Sequence, residues 1–107
     1  MKTSTMFIAI FVALSANLAF ADDRFVTEVG CRTTDDVCFA YLDRPVTSTS
    51  PCSSKTSIRW NGTNERGKNL LRVLLAAQLS GRSIRFGITQ ACLDNSPVIS
   101  YARIRRE

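Results

Sequence analysis

Five short stretches of the chain carry the apolar-polar pattern of strands, and one longer stretch does not. In residues 24–31 (RFVTEVGC), Phe25, Thr27 and Val29 alternate with Val26, Glu28 and Gly30. Residues 37–44 (VCFAYLDR) are rich in β-branched and aromatic side chains, and in 55–60 (KTSIRW) Ile58 and Trp60 share a face. Residues 83–89 place Ile84, Phe86 and Ile88 on one side, and 97–106 (PVISYARIRR) read as the last strand. Between them lie turn clusters: 32–36 (RTTDD), the Ser/Thr/Pro-rich loop 45–54, Asn61-Gly62, and a loop at 91–95. Gly30 and Gly87, inside strand patterns, mark expected bends or bulges of the kind a small closed sheet needs.

The exception is the run from Asn64 to Ser80. Thr63 is its expected N-cap, Glu65 stands in the first turn where the dipole favours an acid, and Gly81 suits the C′ position. Plotted at ~100° per residue, its apolar residues cover well over half the circumference, more than the stripe a one-sided surface helix needs. Leu70 to Leu79 rises only ~15 Å, far short of a membrane span. Five short strands cover one side of such a helix. The opposite apolar residues, Leu71, Leu75 and Leu79, are therefore expected to meet another copy of the chain. The order β-β-β-α-β-β matches a mainly β, five-stranded OB-fold-like barrel with one helix. An open α+β sheet with one packed helix is the alternative.

The first residues stand outside this pattern. Lys2, an apolar block from Met6 to Leu14 and the close Ala19-Phe20-Ala21 predict a signal peptide, residues 1–21, cleaved after Ala21. Residues 22–107 then form a single small exported domain, secreted or periplasmic, of a size at which one core is marginal and staples help. The staples are Cys31, Cys38, Cys52 and Cys92, an even count that reads as two disulfides. Three pairings are possible. Cys31–Cys38 would clamp one hairpin and Cys52–Cys92 would tie an early loop to a late one. Zinc is disfavoured because the chain has no histidine and no C-x-x-C pair.

Cys52, Trp60-Asn61, the segment 67–86 (GKNLLRVLLAAQLSGRSIRF), Cys92 and 98–104 (VISYARI) together resemble a family of small exported bacterial proteins. The resemblance is to the B subunits of subtilase cytotoxin and of typhoid/pertussis-like toxins, and it covers residues 52–104. It implies an OB-fold, a homopentameric ring with helices lining a central pore, glycan recognition on the outer surface, and a Cys52–Cys92 disulfide. A toxin A subunit is a further implied partner. Two departures stand out: the Cys31/Cys38 pair looks additional, and GITQAC replaces the usual Gly-Thr-Gly-x-Cys. No sugar-binding residue carries over to a position here. The alternative is a stand-alone periplasmic or secreted protein that shares only the scaffold.

Charge and chemistry change this picture little. The formal net charge of +5 arises from 14 Lys and Arg against 9 Asp and Glu, a modest excess that permits acidic glycans as partners. Arg59, Arg85, Arg103 and Arg105 all fall in strands and could build one basic face suited to acidic sugars. Nucleic acid is not expected, because Trp60, Phe86 and Tyr101 read as core rather than as stacking platforms. Without histidine the usual catalytic triads are excluded, and Asp22-Asp23 and Asp35-Asp36 read as solvated acids; no enzyme activity and no cofactor are expected. Tyr41 and the hydroxyls of loop 47–54 could face a sugar. Asn61-Gly62-Thr63 fits a glycosylation sequon but reads as a turn and cap.

Overall fold

The computed structural model describes residues 21–106. The predicted leader lies outside the described residues except for its last member, Ala21. The elements are β1 (Ala21–Arg24), β2 (Val26–Cys31), β3 (Val37–Leu42), β4 (Ser57–Asn61), α1 (Glu65–Ser80), β5 (Ile84–Leu93) and β6 (Ser96–Ile104). They form one six-stranded sheet in the order β1-β5-β6-β4-β3-β2. Every pairing is antiparallel except β4 with β6. The protein is thus mainly β with one helix, as expected. The sheet is mixed and open, which corrects the expected closed five-stranded barrel and favours the open-sheet alternative.

The extra strand comes from a break in the first one. Phe25 interrupts 21–31, so that β1 pairs with β5 and β2 pairs with β3 at opposite edges of the sheet. The backbone groups freed at the break do not go unmet. Phe25 N–H donates to the Asp43 carboxylate at 2.9 Å, and Asp43 N–H donates to the Phe25 carbonyl at 3.0 Å. Just before the break, the buried Arg24 guanidinium donates from Nε to the Pro45 carbonyl at 3.0 Å. A single residue of alternating pattern carries no sign that its flanks will part, so the reading of 24–31 as one strand missed the division.

The core follows from the period-two faces. Ala40 of β3, Ile58 and Trp60 of β4, Ile84 and Phe86 of β5 and Ile99 of β6 point inward and are buried. Leu74 and Ala77 of α1 join this cluster, as do Val26, Cys38, Leu42 and Val46, with Leu70 and Leu71 packed against it. Trp60 also ties the helix to the sheet, donating from Nε1 to the Gly67 carbonyl at 3.0 Å. Gly67 has to be glycine because a Cβ there would overlap the Asn61 carbonyl. The close approach lets β4 run directly into the helix.

The helix begins one residue later than predicted. Asn64 is the N-cap and accepts from the Gly67 amide at 2.7 Å. Thr63 is held instead by Asn61, whose Oδ1 accepts from its amide at 2.8 Å and from its hydroxyl. The end is as expected: Gly81 has φ 71°, its amide reaches the Gln78 carbonyl, and the Arg82 amide reaches the Ala77 carbonyl. The predicted bulge at Gly87 is present, as a register shift between Gly87 and Ile88, but the other falls between Val26 and Glu28 rather than at Gly30. The predicted loop at 91–95 is mostly strand. Only Asp94 and Asn95 turn the chain, both with positive φ (49° and 65°), as a two-residue hairpin requires.

Candidate functional site

Both expected disulfides form. Cys31–Cys38 joins directly paired residues of the β2–β3 hairpin, and Cys52–Cys92 ties the long loop to the far end of β5. They suit an oxidising compartment, periplasmic or extracellular. Among the described residues no helix is long and apolar enough to cross a membrane.

The residues expected at a contact between copies lie on one ridge of α1, spaced by four. Leu71 packs partly against the core, Leu75 is 38% exposed and Leu79 is 83% exposed. Exposure rises along the ridge toward the C-terminal end of the helix. Gln78 anchors the neighbouring position, donating to the Thr27 carbonyl of β2 at 2.9 Å. Phe25, Tyr41 and Tyr101 are the other large hydrophobic side chains open to solvent among the described residues. Tyr101 was expected in the core. It lies instead on the outer face of β6, over the Cα of its ladder partner Gly87, where a Cβ would come within 2.7 Å of the ring.

Three of the four strand arginines come together. Asp23, Arg85 and Arg103 are paired across β1, β5 and β6 and so stand in a row on the outer face. Arg105, two residues beyond Arg103, joins them, and Arg106 extends the group, which lines a cavity of ≈ 320 Å³ together with Ile104. Asp23 binds Arg85 through two hydrogen bonds of 2.8 and 2.9 Å and lies 3.4 Å from Arg105. The Arg85 bond is the largest influence and, with the charges of Arg105, Arg85 and Arg24, holds the Asp23 carboxyl below its ordinary pKa, although burial pushes the other way. Arg59 is elsewhere, stacked 5.5 Å from the Phe39 ring centroid and 3.7 Å from Asp94.

The acids read as solvated are mostly engaged. Asp22 is 4% exposed and receives the amides and hydroxyls of both Thr47 and Ser48, with Arg24 at 3.5 Å. Burial raises its pKa, but the Ser48 and Thr47 hydrogen bonds together outweigh it and leave the carboxyl below its ordinary value. Ser48, one of the hydroxyls considered for sugar contact, is therefore consumed inside the fold. Asp35 is bound by Arg32, which also reaches Asp94 at 2.6 Å. No group of three or more His, Cys, Asp or Glu side chains able to hold a metal ion occurs among the described residues. Sequence reasoning missed the Asp22–Thr47–Ser48 cluster, because its members are 25 and 26 residues apart. Comparison of the chain with family models, curated proteins and solved structures finds no match.

Proposed function

We propose that the protein is an exported, non-enzymatic binding subunit of the toxin-B type, which assembles through α1 into a homo-oligomeric ring, pentameric in the resembled family, and recognises acidic cell-surface glycans. The observation that carries the reading is the Leu75–Leu79 end of α1, open to solvent on a helix whose opposite face is already committed to the core. An exposed leucine ridge on a small domain is best covered by its own copies. On the open sheet, the features that support a scaffold of this type are the parallel contact of β4 with β6, the helix between β4 and β5, and the division of 21–31 between β5 and β3. The basic outer face supports an acidic ligand. Light scattering on the oxidised protein tests assembly. The wild type is expected as a discrete multimer at micromolar concentration and Leu79→Glu as a folded monomer by circular dichroism. A wild type with the mass of one chain would refute the ring and favour the stand-alone alternative.

A further inference from the structure

We infer that the outer face around Arg85, Arg103, Arg105 and Arg106 is an oxyanion site for a sulfate or phosphate monoester borne on a saccharide. The inference rests on the proposed glycan reading for the carrier of the anion, whereas the anion chemistry comes from the side chains themselves. Four guanidinium groups line the cavity, and Asp23 is the one carboxylate bonded to any of them among the described residues. Arg85 and Arg103 are direct ladder partners, and like charges directly opposite each other on a sheet repel. Asp23 relieves that repulsion on one side only: it engages Arg85 and Arg105, while Arg103 and Arg106 have no ion-pair partner among the described residues. Among the described residues, the resulting excess of three positive charges is held at the adjoining ends of β5 and β6. There the Arg105 amide donates to the Ser83 carbonyl at 2.9 Å and fixes the strand end against its neighbour.

The class of ligand follows from the lining. Ile104 is the sole apolar member among four arginines, so the cavity offers little to a greasy group and much to a charged one. Guanidinium forks match tetrahedral oxyanions with paired N–H···O bonds. One monocarboxylate is already supplied by Asp23, and it leaves Arg103 and Arg106 uncompensated. A group with three acceptor oxygens can bridge several forks at once. The cavity volume of ≈ 320 Å³ lies near the lower end of ordinary ligand sites, room for one such group and part of its sugar.

The test uses the oxidised protein and three probes at low salt: inorganic pyrophosphate by calorimetry, a sulfated trisaccharide by the same method, and phosphatidylglycerol vesicles by sedimentation. The double variant R103A/R106A should weaken pyrophosphate and trisaccharide binding at least tenfold with unchanged circular dichroism, since neither side chain holds the fold together. R66A/R72A, which removes the same charge from α1, should stay within twofold. No heat with pyrophosphate up to ten millimolar, or an equal loss in R66A/R72A, overturns the site. Vesicle binding without trisaccharide binding overturns the saccharide carrier and assigns the anion to a lipid headgroup. Ring assembly is read separately by light scattering, so its failure leaves this result standing.

Discussion

The two disulfides differ in the length of chain they close, and that difference sets a measurable order of stability. Cys52 and Cys92 are 40 residues apart, Cys31 and Cys38 only 7. On the loop-entropy account the long link restricts the unfolded chain by about 4 kcal/mol and the short one by about 2.5 kcal/mol. Packing does not disturb the comparison. Each bridge has one buried member, Cys38 at 2% and Cys52 at 4% exposure, and one exposed member. Truncation to alanine therefore removes a similar buried sulfur from each. Urea unfolding followed through the fluorescence of Trp60, the sole tryptophan and 2% exposed, reads the result. With a slope of about 1 kcal/mol per molar urea for a chain of this size, C52A/C92A should lower the midpoint by about 4 M and C31A/C38A by about 2.5 M. Ordinary total stability is roughly 5–15 kcal/mol, and for a small domain at the lower end of that range the first variant sits close to unfolding. A C31A/C38A midpoint equal to or below that of C52A/C92A would refute the argument.

Acid should act through the buried end of β1. The folded pKa of Asp22 is lowered, as are those of Asp23 and Asp43. Their contribution is therefore complete above the unfolded value of about 4 and is lost as pH falls through the lower folded values. Asp22→Asn should reduce stability at neutral pH by about 1–3 kcal/mol, because it presents donors to donors, and should flatten the loss below pH 4; an unchanged acid slope contradicts the assignment. Asn64→Ala should cost about 1 kcal/mol and Thr63→Ala less than about half of that, read as the difference between their melting temperatures; the reverse order would restore Thr63 as the cap.

What the sequence made legible was local. The inward faces of β4 and β5 were readable because Ile58, Trp60, Ile84 and Phe86 repeat every second residue. The helix end was readable because a glycine suits the left-handed position Gly81 adopts. The break at Phe25 depends instead on Asp43, eighteen residues away, and no local period registers that. The same holds for Asp22, whose partners lie in a loop that looked merely polar. Tyr101 shows the limit of composition: an aromatic in a strand faces in or out by register, and here the bulge after Gly87 helps set that register. The arginines could be counted from the sequence, but only the pairing of β5 with β6 separates Arg59 from the rest.

The break at Phe25 also governs the order in which the molecule can be completed. β2 pairs with β3 across a tight turn, while β1, one residue away, must wait for β5 and its partners Ile84–Gly87. Closing so long a loop carries an entropic barrier that local pairs do not face, and such contacts slow folding. During synthesis, then, the hairpin at Cys31–Cys38 can form early, whereas the seam between β1 and β5 stays unzipped until β5 is available to pair. The first residues of the domain are among the last to settle.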